Sequence, residues 1–428
     1  MKNVKFYTLG CKVNSYETES MRGLFEKNGY ISTNDDNADV FVINTCTVTS
    51  VGDKKSRQMI RRAKRNNPNS IVAVVGCYSQ VSPDEVRKLD DVDIILGTTD
   101  RNRIVEYVEN YAGFRIDAVK NVITSDYEDL PSAHRSRTRA TIKIQDGCTN
   151  FCSYCIIPYA RGPVRSRLIE SAVNEVAKLT SEGFTEVVLV GIHLASYGRD
   201  LDLKLIDIIK EICNVKGLKR VRLGSLEPNL LTQEFVDEIA TLSLLCHSFH
   251  ISMQSGSTKT LKRMNRKYTA EQYLETLDRI RLAMPDCSIT TDVMVGFPQE
   301  TEEEFVESLN TVKKAQFADI HVFPYSRRNG TPAASMEGQI DEKIKSERSQ
   351  KMIELGHNLK KDYCEKYIGM NLEVLFEQRV KDNVFEGLTQ NYIRVFAKGE
   401  NLAGEYKVVR ITSFCGDYCE GEVLFSKN

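Results

Sequence analysis

Apolar runs alternate with amphipathic stretches along the first quarter of the chain. VKFYTLG (4–10), DVFVINT (39–45), SIVAVVG (70–76) and DIILG (93–97) read as strands, while SYETESMRGLFEKNGY and the basic segment after Cys46 repeat their apolar positions at helical spacing. Strands separated by helices predict a parallel sheet of βαβ units over residues 1–113. Cys11, Cys46 and Cys77 fall at the ends of three of these strands, in TLGC, INTC and VVGC. An open parallel sheet gathers ligands beyond the carboxyl ends of its strands, so the three thiols are expected to meet at one edge.

Residues 114–139, ending in the polar and basic LPSAHRSRTRA, lose the periodicity and read as a linker. A second alternating series follows over 140–366: ATIKIQDG, EVVLVGI, RVRLGSL, SFHISMQSG, SITTDVMVGF and DIHVFPYS, separated by helical segments. Six such units suit a partial, open (β/α)6 barrel with its chemistry at the strands' C-terminal ends. Over 367–428 the pattern shifts to short strands between turn signals, which predicts a small antiparallel β-barrel of the kind that presents a face to oligonucleotides. The fold class is therefore α/β, with an open parallel sheet, a partial barrel and a terminal β-barrel.

Composition narrows the function classes. The sequence is 41% hydrophobic and 8% aromatic, ordinary for a globular protein. It has no apolar run of about 18 residues, and MKNVKFYTLGC lacks the features of a secretory signal, so a soluble, cytoplasmic protein without membrane attachment is expected. In a reducing compartment, twelve cysteines point to metal or redox chemistry before disulfides. The formal net charge of −1 means that a polyanionic partner must be met by local patches. Lys54, Arg57, Arg61, Lys64 and Arg65 form a basic helical stripe, by default a solvated face and alternatively a surface for the phosphates of a nucleic acid, and HRSRTR and RGPVRSR add positive charge.

The sharpest feature is IQDGCTNFCSYC (144–155), with Cys148, Cys152 and Cys155 in one loop after the first barrel strand. Structural zinc requires four protein ligands, and only three cysteines lie here, with His193 reachable through the fold alone. Three exposed free thiols would invite oxidation. An iron–sulfur cluster fits better: three thiolates on a four-iron cube leave one iron open for a small molecule. Of the remaining cysteines, Cys213, Cys246 and Cys287 read as small core hydrophobes, and Cys415 and Cys419, four apart, lack the further nearby ligands that a metal site would need. His134, His193, His250 and His321 show no ligand spacing and read as polar loop or core residues.

CxxxCxxC in this setting resembles the radical S-adenosylmethionine (SAM) enzymes. GCKVN, NTCTVT, VVGCY, IPYARGPVRSR, LGSLEP, SMQSGS and VMVGFPQETEEEF are similar to the methylthiotransferase branch of that superfamily, and the terminal barrel resembles the RNA-binding TRAM domain. TLGCKVNSYETE with INTCTVT most resembles the type that modifies N6-threonylcarbamoyladenosine at position 37 of tRNA. The resemblance implies SAM bound at the open iron of the Cys148–Cys152–Cys155 cluster and a second [4Fe–4S] cluster on Cys11, Cys46 and Cys77. It further implies SAM cleavage to a 5′-deoxyadenosyl radical, hydrogen removal from adenine C2, and transfer of a methylthio group from the second cluster.

Tyr154, Gly191, Ser225, Glu227, Gln254, Val295 and Gly296, within or near the strand-end stretches, are the expected SAM-binding positions. Expected partners are the tRNA anticodon arm and an electron donor such as flavodoxin or ferredoxin, with the chain acting as a monomer. Alternatives are action on isopentenyladenosine 37 or ribosomal protein S12, or a non-catalytic iron–sulfur protein for RNA binding or electron transfer.

Overall fold

The structure, a computed structural model, describes residues 2–130 and 138–424. His134 and the basic positions of HRSRTR up to Arg137 lie outside the described residues.

The N-terminal sheet contains β1 (Asn3–Thr8), β2 (Ile31–Ser32), β3 (Val40–Thr45), β4 (Ile71–Gly76), β5 (Ile94–Ile95) and β6 (Ile116–Asp117), in the order β2-β1-β3-β4-β5-β6, with every pair parallel. Every residue of β3 is buried, as a central strand covered by helices on both faces requires. The sheet extends past residue 113, where the sequence pattern placed the start of a linker. Arg115 donates to the carbonyls of Val92 (2.9 Å) and Leu89 (2.7 Å), bringing the neighbouring Ile116 against β5.

The central region contains β7 (Arg139–Asp146), β8 (Arg165–Ser166), β9 (Glu186–Gly191), β10 (Arg220–Leu223), β11 (Ser248–His250), β12 (Ser288–Val295) and β13 (Asp319–Pro324). Parallel pairing links β7, β9 and β10, and separately β11, β12 and β13. Parallel bridges Val221–Leu245 and Leu226–Ile251 join the two groups, giving the six-strand partial barrel. The short β8 is antiparallel to β7 and caps its open edge. The intervening helices begin at well-formed caps, for example Thr301 with Glu304 and Thr269 with Gln272.

The terminal barrel comprises β14 (Asn371–Lys381), β15 (Val384–Thr389), β16 (Arg394–Lys398), β17 (Tyr406–Phe414) and β18 (Cys419–Val423), closed in the order β14-β15-β16-β18-β17. It departs from the expected all-antiparallel pattern at β16–β18, which is parallel. A closed ring of five strands cannot alternate direction throughout, so one neighbouring pair must run the same way.

Charged residues on strands and helices hold the three units together. Glu17, on the helix Lys12–Lys27, forms an ion pair with Arg101 (2.5 Å) and accepts from Arg161 (2.5 and 3.1 Å) and Lys143 (2.9 Å), all fully buried. Arg220 of β10 donates to Leu388 O (3.1 Å) and Glu373 O (3.0 Å), and Arg222 to Thr389 O (2.7 Å) and Gln390 O (3.0 Å), which fixes the terminal barrel on the partial barrel.

Candidate active site

Cys46 directly follows β3, Cys77 directly follows β4, and Cys11 caps the helix Lys12–Lys27 after β1. Because β1, β3 and β4 are adjacent and parallel, the three thiols arrive at one edge, close enough to act electrostatically on one another. The backbone there is tight: Gly10 has φ +103°, and a Cβ at that position would stand 2.8 Å from Cys46 Cβ and 2.9 Å from its Sγ. Asn14 ties the edge together by donating to Leu9 O (2.7 Å) and Thr45 O (3.0 Å).

The second trio lies in the loop after β7. Gly147 has φ +75°, and a Cβ there would come within 1.7 Å of Pro163 O, so the turn that opens the loop requires glycine. Cys148 N donates to Gly162 O (3.0 Å), Ser153 N to Met264 O (3.0 Å), and Asn265 Nδ2 to Phe151 O (3.0 Å), which hold the loop from both sides.

Burial pushes the Cys77 and Cys148 thiols up to about 11 and Cys155 up to about 12, and it raises Cys46 as well. Such thiols ionise when a metal supplies the compensating charge. Each trio also has a cation at hand: Arg161 Nε donates to Cys77 Sγ (3.3 Å) and Arg266 Nη1 to Cys152 Sγ (3.5 Å). Among the described residues, no three His, Cys, Asp or Glu side chains are close enough to hold a single metal ion. In a cubane each iron is reached by a different thiolate, so the three donors need not converge on one ion. Three soft donors, charge compensation nearby and no bulk at the flanking glycines together fit an iron–sulfur cluster at each edge.

A cavity of about 1160 Å³ is lined by Cys11 of the first trio and by Cys148, Cys152 and Cys155 of the second, while Cys46 and Cys77 lie behind its wall. Tyr154, Gly191, Ser225 and Glu227 line it too. Gln254, Val295 and Gly296 do not. Gln254 is buried with φ +67° and an unpartnered Oε1, Val295 is buried within β12, and Gly296 N donates to Glu300 (2.7 Å) in a turn closed by Lys345.

Glu227 accepts from Arg266 (2.8 Å) and lies 3.6 Å from His193 Nε2. Burial opposes its ionisation, but His193 and Arg266 outweigh that and hold the carboxyl below its usual range. His193, His250 and His321 all line the cavity, against the expectation of bland loop or core roles. Their signal was available, since His193 follows β9, His250 ends β11 and His321 lies on β13. Arg139, the last residue of HRSRTR, also lines it, as do Arg222, Arg266 and Tyr392, to which no motif pointed.

The basic runs divide. On the helix Ser50–Asn66, Lys54, Arg61 and Arg65 are exposed, whereas Arg57 donates to Tyr78 OH (3.0 Å) and Lys64 pairs with Asp93 (2.7 Å). RGPVRSR does not face solvent. Arg161, Arg165 and Arg167 are buried, and Arg167 pairs with Glu175 and with Asp129 (2.7 Å). Cys213 is half-buried and Cys246 and Cys287 are buried; Cys364 and Cys419 are buried in the terminal barrel's core, whereas Cys415 is exposed. No described helix is long and apolar enough to cross a membrane.

Residues 142–312 match the radical SAM superfamily, and residues 3–97 match the uncharacterized protein family UPF0004. The threonylcarbamoyladenosine tRNA methylthiotransferase MtaB of Bacillus subtilis is 44% identical over 99% of this chain and 97% of its own length. Its namesake in Thermotoga maritima is 38% identical over 96% and 95%. A tRNA-2-methylthio-N(6)-dimethylallyladenosine synthase of Lachnoclostridium phytofermentans is 36% identical over 97% and 94%. In fold, the radical SAM methyltransferase TsrM of Kitasatospora setae superposes with a TM-score of 0.58 at 14% identity, covering 78% of this chain and 74% of that one. The chain belongs to the radical SAM methylthiotransferase family, and within it to the MtaB type.

Proposed function

We propose that this protein places a methylthio group on C2 of N6-threonylcarbamoyladenosine at position 37 of tRNA. In this reading Cys148, Cys152 and Cys155 hold one [4Fe–4S] cluster beside SAM, and Cys11, Cys46 and Cys77 hold a second. When bound, these cofactors supply the one-electron chemistry and the methylated sulfur.

The observation that carries the reading is the single chamber lined both by Cys11 and by the Cys148–Cys155 loop, which brings one thiol of the first trio and all three of the second to a common space. The chain's own residues position and shield. Glu227, kept ionised by Arg266 and His193, offers a fixed acceptor to a ligand at the loop, and Tyr154 and Ser225 stand on the same wall. Val13, Val188, Val190 and Ile192 make another part of the wall apolar and limit water around the reacting carbon. Lys54, Arg61 and Arg65 meet the anticodon arm's phosphates, a small carrier such as a flavodoxin or ferredoxin delivers electrons, and the protein works as a cytoplasmic monomer.

The test is anaerobic reconstitution with iron and sulfide, then addition of dithionite, SAM and an anticodon stem-loop carrying threonylcarbamoyladenosine. The expected products are 5′-deoxyadenosine and a stem-loop heavier by one methylthio group in place of hydrogen. SAM turnover without any mass gain on the nucleoside would overturn the reading.

A further inference from the structure

Four cationic side chains line the chamber, and three are already engaged. Arg139 pairs with Glu377 (2.6 Å), Arg222 with Glu186 (2.6 Å), and Arg266 with Glu227 (2.8 Å). Lys12 has no ion pair or hydrogen bond among the described residues and is exposed. It lines both the chamber and an adjoining cavity of about 590 Å³ between the partial barrel and the terminal barrel, so it stands where the two meet. Tyr392 also lines both. It is 41% exposed, with the Arg222 and Arg139 guanidinium groups 5.0 and 5.8 Å from its ring. The passage therefore offers an aromatic face beside a free ammonium.

Lys12 also directly follows Cys11, one Cα step of about 3.8 Å along the chain. In adenine, C2 and C6, the carbon that bears N6, flank the same ring nitrogen, so a group carried on N6 lies near the carbon to be modified. A threonylcarbamoyl group carries a free carboxylate at that place, whereas a dimethylallyl group is hydrocarbon only. Neighbouring acids do not claim the ammonium: Glu377 is held by Arg139, and Asp292 lies 3.2 Å from His250 Nε2.

We infer that Lys12 is a specificity-determining residue that pairs with the carboxylate of the threonylcarbamoyl substituent at the mouth of the chamber. The inference rests on the proposed function above and adds the group that reads the substituent. A lysine held between solvent and a partly enclosed chamber is worth about tenfold in affinity when its carboxylate partner is present, equivalent to about 1.4 kcal/mol.

The experiment measures binding of the reconstituted holoenzyme to three labelled anticodon stem-loops by fluorescence anisotropy. They bear threonylcarbamoyladenosine, its neutral methyl ester, or dimethylallyladenosine. Wild type is expected to bind the acid about tenfold more tightly than the ester. Lys12→Gln is expected to bring acid and ester to equal affinity and leave the dimethylallyl stem-loop unchanged, while Lys12→Arg keeps most of the acid preference. An undiminished acid preference in Lys12→Gln, or an equal loss on all three RNAs, would overturn the inference. Conversion of the threonylcarbamoyl stem-loop by wild type is measured alongside. If conversion occurs and the acid preference does not depend on Lys12, only the inference fails; if wild type does not convert it, the functional reading fails and the inference falls with it.

Discussion

Replacing Glu17 by Gln removes one carboxylate from the buried junction between the N-terminal sheet and the partial barrel. Arg101, Lys143 and Arg161 all point at Glu17 from 2.5 to 2.9 Å, and Glu128 and Asp146 remain as anions. Every one of the three cations is fully buried, so none recovers hydration when its partner is neutralised. Breaking a buried pair of this kind costs about 3–5 kcal/mol, because uncompensated charge stays inside. At about 2 °C per kcal/mol for a unit of this size, Tm should fall by about 6 °C or more.

The pH dependence gives a second reading of the same contact. Burial disfavours the Glu17 carboxylate, but Arg101, Arg161 and Lys143 outweigh it and hold its pKa well below the ordinary 4.5. A depressed folded-state pKa stabilises the protein fully above the unfolded value and progressively less as pH falls below it. The gap between wild type and Glu17→Gln should therefore be constant from pH 6 to 8 and narrow below about pH 4.5. Calorimetry of both proteins under anaerobic conditions makes the comparison. A variant within about 1 kcal/mol of wild type at pH 7, or a gap that widens on acidification, would refute the reasoning.

Gly10→Ala should lower bound iron by about half while leaving the cluster of the Cys148 loop intact, because the new Cβ would stand 2.8 Å from Cys46 Cβ at φ +103°. Iron content and the spectrum of the reduced protein check this. Changing Lys54, Arg61 and Arg65 together to Ala should weaken tRNA binding and flatten its dependence on salt by about 2 in log–log slope, at roughly 0.7 per phosphate contact. Lys64→Ala should instead leave tRNA affinity unchanged and cost about 1–2 kcal/mol of stability, since Lys64 is committed to Asp93 at 2.7 Å and Ser70 O at 2.6 Å. Filter binding over a salt series and thermal melts separate the two variants.

Much of this architecture was legible because periodicity and local chemistry agreed. Continuous apolar runs such as VFVINT and IVAVVG marked central parallel strands, and the position of a cysteine just past each run fixed where the thiols would gather. The failures share a cause. RGPVRSR looks like a surface patch in one dimension, but Glu17, Asp146 and Glu175, distant or uninformative in sequence, neutralise it in the interior. Tyr392 carries no local signal and Arg139 only that of a basic run; they become wall residues when the terminal barrel docks on Arg220 and Arg222. The parallel β16–β18 pair follows from ring closure, which strand patterns do not encode.

The central claim is that two separate cysteine trios each hold a cluster. Anaerobic iron and sulfide analysis with Mössbauer spectroscopy tests it on wild type, on Cys11/Cys46/Cys77→Ala and on Cys148/Cys152/Cys155→Ala. The expected result is about eight irons per wild-type chain and about four in each triple variant, with cubane parameters in all three. About four irons in wild type, with either triple variant unaffected, would contradict the account.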